Sequence, residues 1–296
     1  MGGNAFLAEN FEAHRGHLRA VAYRMLGSLS EADDAVQEAW LRLSRSDTGE
    51  VTNLGGWLTT VVGRVCLDML RSRTARREEP LGARVPDPVL SGTGGVDPED
   101  QALLADSVGL ALLVVLDALA PAERLAFVLH DLFGVPFDEI APIVDRTPAA
   151  ARQLASRARR RVRGAAPLPD PDLARQRAVV DAFLAAAREG DFDGLIALLA
   201  PDVVLRADQG AATPLGYREV RGAEGVADQA LTFARSGGED AVPRPALVNG
   251  AVGVVGTRAG RPASVLGFTV TDGKIAAIDI LADPDRLARL DLTVLD

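Results

Sequence analysis

Apolar residues recur at helical spacing through the first half of the chain, and the pattern turns β-like only in the last third. Phe11, Leu18, Val21, Ala22 and Met25 share one helical face, which predicts a first helix packed along that side. Ser30, with Asp33 three residues later, opens SEADDAVQEAWLRL and reads as the N-cap of a second helix with acids in its first turn. A third helix is predicted over Leu54–Arg77, so residues 5–79 read as helical throughout. Pro, Gly and Asp crowd residues 80–101 (PLGARVPDPVLSGTGGVDPEDQ), marking a linker rather than core. Helical periodicity returns over 102–165, and residues 166–171 form a second break. Beyond it one amphipathic helix (ARQRAVVDAFLAAAREG) and the segment DFDGLIALLA precede the β-like runs VVLRAD, ALVNGAVGVVG, ASVLGFTVTDG and KIAAIDILA. Asp272-Gly273, between two apolar runs, signals a hairpin. The expected fold class is multidomain: two all-α domains, the second with a helix-turn-helix, followed by an α+β domain over 172–296.

The helix-turn-helix rests on FDEIAPIVDRTPAAARQLASRARRRVRG. Phe137, Ile140, Ile143 and Val144 fall on one face of a short helix, and Asp145-Arg146 makes a tight turn. Thr147 then caps a second helix with Pro148 at its first position. On a helical wheel Ala151, Leu154, Ala155, Ala158 and Val162 share one arc. Arg152, Gln153, Ser156, Arg157, Arg159, Arg160 and Arg163 occupy the other. A recognition helix needs this division: its first turns reach base edges in the major groove while later arginines grip phosphate. Arg and Gln also make bidentate contacts to guanine and adenine. The competing reading is a solvated arginine-rich face or a site for an acidic partner. The capped turn, the small residues near the helix start and the absence of acids favour DNA.

Composition narrows the picture. Thr147–Gly164 carries six arginines and no acid within a chain of net charge −9, so nucleic-acid binding is expected to be local rather than a general coating. The one cysteine, Cys66, excludes an internal disulfide and fits a reducing cytoplasm. The N-terminus lacks a basic region followed by an apolar run, so no signal peptide is expected. The longest apolar stretch, Val108–Leu116, is too short to span a bilayer. His14, His17 and His130 share no ligand spacing with acids or the cysteine, so neither a metal nor another cofactor is expected.

Three segments, DDAVQEAWLRL (33–43), GGWLTTVVGRVCLDMLRSRTARRE (55–78) and LAPAERLAFVLHDLFGVPFDEIAPIVDRTPAAARQLASRARRRV (119–162), occur in order. Together they resemble bacterial RNA polymerase sigma factors of the extracytoplasmic-function (ECF) group within the sigma-70 family. The resemblance covers roughly 5–165 and implies region 2 over 5–79, a linker over 80–101 and region 4 over 102–165. It implies an alternative sigma factor that binds core RNA polymerase, through its β′ clamp and β subunits, and directs initiation at −35/−10 promoters; it is not an enzyme. Asp34, Gln37, Glu38 and Leu41 take the polymerase-docking role. Thr52 and Asn53 belong to the loop that captures a flipped −10 base, which demands a snug polar pocket. Arg64, Asp68, Arg71, Arg73 and Arg76 face the −10 duplex, while Trp57 is read as core. Thr147, Ala149, Arg152, Gln153, Ser156, Arg157 and Arg160 read the −35 element. Two departures from the family stand out: Asp145 replaces the frequent turn glycine, and Pro142 lies inside the first helix of the motif. Asp tolerates the left-handed conformation, whereas Pro142 removes a backbone donor and is expected to shorten or kink its helix.

The last 125 residues (172–296) resemble the SnoaL-like branch of the NTF2-like fold, a curved sheet around a cone. Sigma factors with this fused tail form a recognised group. Their linker proline motif corresponds to Val85–Pro88 (VPDP), a glycine-rich acidic motif to Asp208-Gln209-Gly210, and a late motif to Asp283-Pro284-Asp285-Arg286-Leu287 (DPDRL). Two roles compete for the tail. One is regulation in cis, with room for a small-molecule ligand. The other is catalysis as a cyclase or hydrolase, with Asp208 as general base and Arg206 or Tyr217 as its partner. For the whole chain the alternative is a helix-turn-helix regulator with a ligand-sensing tail. The expected setting is cytoplasmic, without a membrane partner.

Overall fold

The computed structural model describes residues 2–45, 53–75, 84–92, 109–165, 167, 169–210, 213, 216–236, 241–290 and 292–293. Two compact units emerge. One holds the described residues of Met1–Ala83 and Leu113–Ala165; the other holds those of Arg84–Asp97, Ser107–Leu112 and Ala166–Asp296.

In the first unit α1 (Gly2–Leu26), α2 (Leu29–Leu43) and α3 (Leu54–Ala75) form a helical bundle. Phe11, Leu18, Val21, Ala22 and Met25 are all buried, as their spacing predicts. Ala32, Ala35, Val36, Ala39 and Leu43 line the inner side of α2. The cap of α2 differs from expectation. Gly27, at φ 69°, ends α1 and places Ser28 in extended backbone at the N-cap. Ser30 is therefore already helical, and its hydroxyl lies 3.1 Å from that of Ser28 rather than capping a backbone N–H. Asn53 takes the capping role at α3, its Oδ1 accepting from the Gly56 N–H at 3.0 Å.

The same unit contains α4 from Leu113 onward (α4 spans Leu110–Asp117), then α5 (Pro121–Phe127), a π-helical turn (Val128–Leu132), α6 (Phe137–Val144) and α7 (Pro148–Ala165). These helices pack directly on α1–α3. The buried Arg124 guanidinium donates to the Met25 carbonyl and to Asp117, both at 2.8 Å, so one side chain satisfies a helix-end carbonyl that lacks an intrahelical donor. Leu129 sits so close to Gly63 that a Cβ there would meet it at 3.2 Å. Arg24 lies over the Phe133 ring at 5.0 Å, and His17 meets the same ring edge-on at 5.2 Å.

Burial lowers the pKa of His17, and the neighbouring His14 and Arg24 charges push it the same way. The His17 ring also lies 3.2 Å from the Thr59 hydroxyl. With the native pKa depressed, the unfolded chain takes up the proton first. Stability is therefore unaffected above the ordinary imidazole value of 6.5 and falls as pH drops from there to the lowered native value. Denaturant unfolding at about pH 7 and about pH 5 should show a smaller acid loss for His17→Gln than for the parent chain, across the window in which imidazole ordinarily titrates.

The second unit begins with α8 (Leu173–Glu189) and α9 (Phe192–Leu198). Asp172 and Asp191 cap them through their side chains, accepting from Ala174 and Gly194 N–H groups respectively. The strands are β1 (Leu90–Ser91), β2 (Leu199–Asp208), β3 (Tyr217–Arg221), β4 (Ala241–Val248), β5 (Ala251–Arg258), β6 (Arg261–Thr271) and β7 (Lys274–Leu281). Helix α10 (Ala223–Ser236) follows β3, and the short α11 (Pro284–Leu287) follows β7. The sheet order is β1-β4-β5-β6-β7-β2-β3, with β2 and β7 parallel and the other pairs antiparallel. The Asp272-Gly273 hairpin forms as expected, with φ positive at both residues; this gives the twist that a two-residue connection requires.

The sheet is buried on both faces. On one, Val203, Leu205, Val252, Val254, Phe268, Val270, Ile278 and Ile280 pack against Val180 and Phe183 of α8 and Leu195 of α9. Strand alternation turns Arg206, Asp208, Gly267 and Asp279 to the other face. The segment read as linker is part of this unit's packing: Val85, Val89, Leu90 and Ser91 are buried, and β1 pairs with β4. Asn249 fixes it further, donating its N–H to the Val89 carbonyl and accepting from the Val89 N–H. Leu110 lies over Gly267, where a Cβ would meet Leu110 Cδ1 at 2.8 Å. A Pro-rich composition marks the absence of regular structure, not the absence of burial.

Candidate functional site

The helix-turn-helix is built from its own turn outward. Helix α6 ends at Asp145, which takes the left-handed conformation at φ 56° and donates its N–H to the Ala141 carbonyl. Pro142 lies within α6 but does not terminate it; its exposed position leaves room for the ring, and its carbonyl accepts from Arg64 at 3.5 Å. The Thr147 hydroxyl accepts from the Ala150 N–H at 3.3 Å. Ala151, Ala155 and Ala158 are buried, so α7 approaches α5 and α6 closely. Thr147, Ala149, Arg152, Gln153, Ser156, Arg157 and Arg160 are exposed together on the outer side. Arg152 stacks over Phe137 at 5.2 Å, and Phe137 stacks on His130 at 3.8 Å. His130 Nδ1 lies 3.0 Å from the Val135 carbonyl, so that nitrogen carries the proton. The stack holds the Arg152 guanidinium beside the start of the helix.

The other expected residues separate into three groups. Arg64, Asp68 and Arg71 are exposed along one side of α3, while Arg73 pairs with Glu31 of α2. Asn53 is exposed, with its side chain committed to the α3 cap. Thr52 and Arg76 lie outside the described residues. On α2, Asp34, Gln37 and Leu41 are exposed and Glu38 pairs with Arg42 at 3.0 Å. Among the described residues Leu41 is one of four large apolar side chains left open to solvent. Trp57, expected as core, is only half-buried in the first turn of α3. Cys66 is fully buried, and burial pushes its thiol pKa up, leaving it unreactive. Among the described residues no group of His, Cys, Asp and Glu could hold a metal, and no helix is long and apolar enough to cross a membrane.

In the tail, the acidic motif and the late motif meet. Gly210, at φ 81°, lies so close to Asp283 that a Cβ would meet its carboxylate at 2.7 Å. Asp283 caps α11 through the Asp285 N–H at 2.9 Å. This presents Arg286, which belongs to the late motif but carries no role that its sequence position could assign. Its Nη1 donates to Asp208 at 2.8 Å, its Nε to Asp87 at 2.7 Å, and its Nη2 to the Val85 carbonyl at 2.7 Å. Asp208 also accepts from the Gly210 N–H, and Gln209 enters through its backbone, donating to the Gly216 carbonyl. Pro284 starts α11. Asp208 is thus buried in an ion pair, not presented as a general base. Arg206 pairs instead with the fully buried Asp279 at 3.0 Å and approaches Glu219 at 3.7 Å. Burial raises the pKa of Asp279 against the opposing pull of Arg206. Tyr217 lies opposite Asp208 in the β2–β3 register, but its hydroxyl donates to Glu219 at 3.2 Å.

Residues 11–76 match the family model for Sigma-70 region 2, and residues 109–162 match that for Sigma-70 region 4. The ECF RNA polymerase sigma factor SigJ of Mycobacterium tuberculosis is 42% identical over 288 residues, covering 93% of this chain and 91% of that protein. The chain belongs to the ECF RNA polymerase sigma factors. A second M. tuberculosis relative, the probable ECF RNA polymerase sigma factor SigI, is 36% identical over 94% of this chain and 93% of its own length. The crystal structure of M. tuberculosis SigJ matches the fold with a TM-score of 0.78 and 38% identity, covering 96% of this sigma factor and 99% of that chain. The likeness therefore runs through the tail as well as the helical sigma regions.

Proposed function

We propose that this sigma factor joins core RNA polymerase through Asp34, Gln37, Glu38 and Leu41 of α2 and reads the −35 element with α7. The observation that carries the reading is the two-sided α7: buried alanines seat it, while Arg152, Gln153, Ser156, Arg157 and Arg160 stand exposed beyond a capped turn. Arg64, Asp68, Arg71 and Arg76 supply the −10 duplex face, with Thr52 and Asn53 in the loop for the flipped −10 base. Arg73 is held by Glu31 and acts from that ion pair. An acidic chain that reaches promoters only with the polymerase avoids non-specific binding, because net negative charge repels phosphate except at such local patches. The cell compartment that follows is the cytoplasm.

Run-off transcription with purified core enzyme tests the −35 assignment. Arg152→Ala or Gln153→Ala should lose about 1–3 kcal/mol of promoter affinity per base contact and relax selectivity at one −35 position. Equal loss at every −35 sequence would instead make these residues phosphate grips.

The tail is proposed to regulate in cis. Val85, Asp87, Val89 and Leu90, between regions 2 and 4, are held by Arg286, Asn249 and β4 of the tail. The chain connecting the two promoter-reading regions is thereby tied to the tail fold, without a separate protein. The ion pairing of Asp208 supports regulation over catalysis.

A further inference from the structure

The arginines of α7 differ in how they are held. Arg160 and Arg163 are exposed, with no ion pair among the described residues. Arg159 is gripped by Asp131 of the π-helical turn through two hydrogen bonds, at 2.8 and 2.6 Å. Arg157 and Arg161 both converge on Glu123 of α5. Arg157 Nε donates to Glu123 Oε1 at 2.7 Å, and Arg161 Nη1 donates to Glu123 Oε2 at 2.9 Å. The Glu123 side chain is 9% exposed, whereas those of Arg157 and Arg161 are 46% and 58% exposed.

We propose that Glu123 is a positioning residue for −35 binding, and that Arg161, beside Arg157, is a phosphate-binding residue of the recognition helix. The inference rests on reading α7 as the −35 helix. The carboxylate is fixed by burial in the first turn of α5, where the helix N-terminus favours negative charge. Each oxygen takes one arginine, and the two arginines lie one helical turn apart. A guanidinium has five N–H donors, and each spends only one on Glu123. The remaining donors lie on exposed groups whose stems can no longer rotate freely. Phosphate then meets two cations already in place, and the rotamer entropy normally lost on binding has been lost on folding.

A purely electrostatic role gives the opposite sign. Glu123 carries negative charge beside a helix that approaches phosphate, so neutralising it should strengthen DNA binding if charge alone matters. The same strengthening is expected if the carboxylate sequesters the arginines from DNA. Positioning makes its removal weaken binding.

The test is promoter binding by the reconstituted holoenzyme across a salt series. Arg157→Ala and Arg161→Ala should each reduce the salt slope by about one, the value for one lost phosphate contact. Glu123→Gln should also lower affinity and slope, and add little to an Arg157→Ala/Arg161→Ala background. Glu123→Asp, which keeps the charge but withdraws it by one methylene, should fall on the weakened side too. Thermal unfolding of each variant identifies any loss that comes from misfolding, and Glu123→Asp then carries the test if Glu123→Gln does not fold. Unchanged or tighter binding by a folded Glu123 variant would overturn the positioning role, as would effects that add in full to those of the arginines. An unchanged slope for Arg161→Ala would remove it from the DNA contact. If Arg152→Ala and Gln153→Ala also leave −35 selectivity intact, the reading of α7 itself fails; if they alter it, only the Glu123 inference does.

Discussion

Arg286→Ala is expected to produce one of the largest losses of stability available to a single substitution in this chain. Arg286 is 6% exposed and faces Asp208 and Asp87, whose side chains are 8% and 15% exposed. Removing one partner of a buried ionic cluster leaves the others charged and uncompensated, a cost of about 3–5 kcal/mol. Here both carboxylates lose the Arg286 guanidinium and the Val85 carbonyl loses a donor. Denaturant unfolding followed by tail-specific probes should show the second unit melting first. Run-off transcription should also change, because Val85 and Asp87 are no longer tied to the tail. Changed stability with unchanged transcription would confine Arg286 to structure and count against regulation through the linker. Arg286→Lys should recover only part of the loss, since an ammonium cannot reproduce the three-sided fork that the guanidinium makes here.

Asp279→Ala is the second. Asp279 is 1% exposed and is the close partner of Arg206, itself 7% exposed. The pairing follows the register, since Arg206 lies opposite Asp279 on β7 and Glu219 on β3. Deleting the acid strands a buried guanidinium, again at about 3–5 kcal/mol. Glu219 moderates that cost, as its carboxylate already lies 3.7 Å from Arg206. Replacing both partners at once, as in Asp279→Leu with Arg206→Met, removes the charge problem and should come out far milder than Asp279→Ala alone. Thermal unfolding of the three variants checks this. A double variant as unstable as the single one would show that packing, not charge, dominates the site.

Helical spacing and turn chemistry were legible because they are local. The first helix face, the Thr147 cap, the left-handed Asp145 and the Asp272-Gly273 turn each depend on residues within a few positions of one another. The exposed face of α7 followed from the same periodicity. What escaped notice depends on distant pairs. Arg286 meets Asp87 across 199 positions and Val85 across 201, and no spacing rule joins them. Strand β3 was missed because YREVR is short, lies at the sheet edge and alternates without an apolar face. The burial of Val85–Leu90 was hidden by Pro and Asp, whose effect on local conformation says nothing about what covers the segment. Nothing in the local sequence singles out Glu123, and only the packing of α5 on α7 gives it two arginines. Asp208 drew attention as a lone pocket acid, and its ion pair with Arg286 became visible only once α11 was placed beside β2.

A mobility-shift comparison on one fluorescent promoter fragment, with the full chain alone, core RNA polymerase alone and both together, tests the sigma-factor reading most directly. The expected result is a stable, competitor-resistant complex only when both are present, lost when the −35 element is changed. Tight, sequence-specific binding by the chain alone would contradict it and would mark a helix-turn-helix regulator instead.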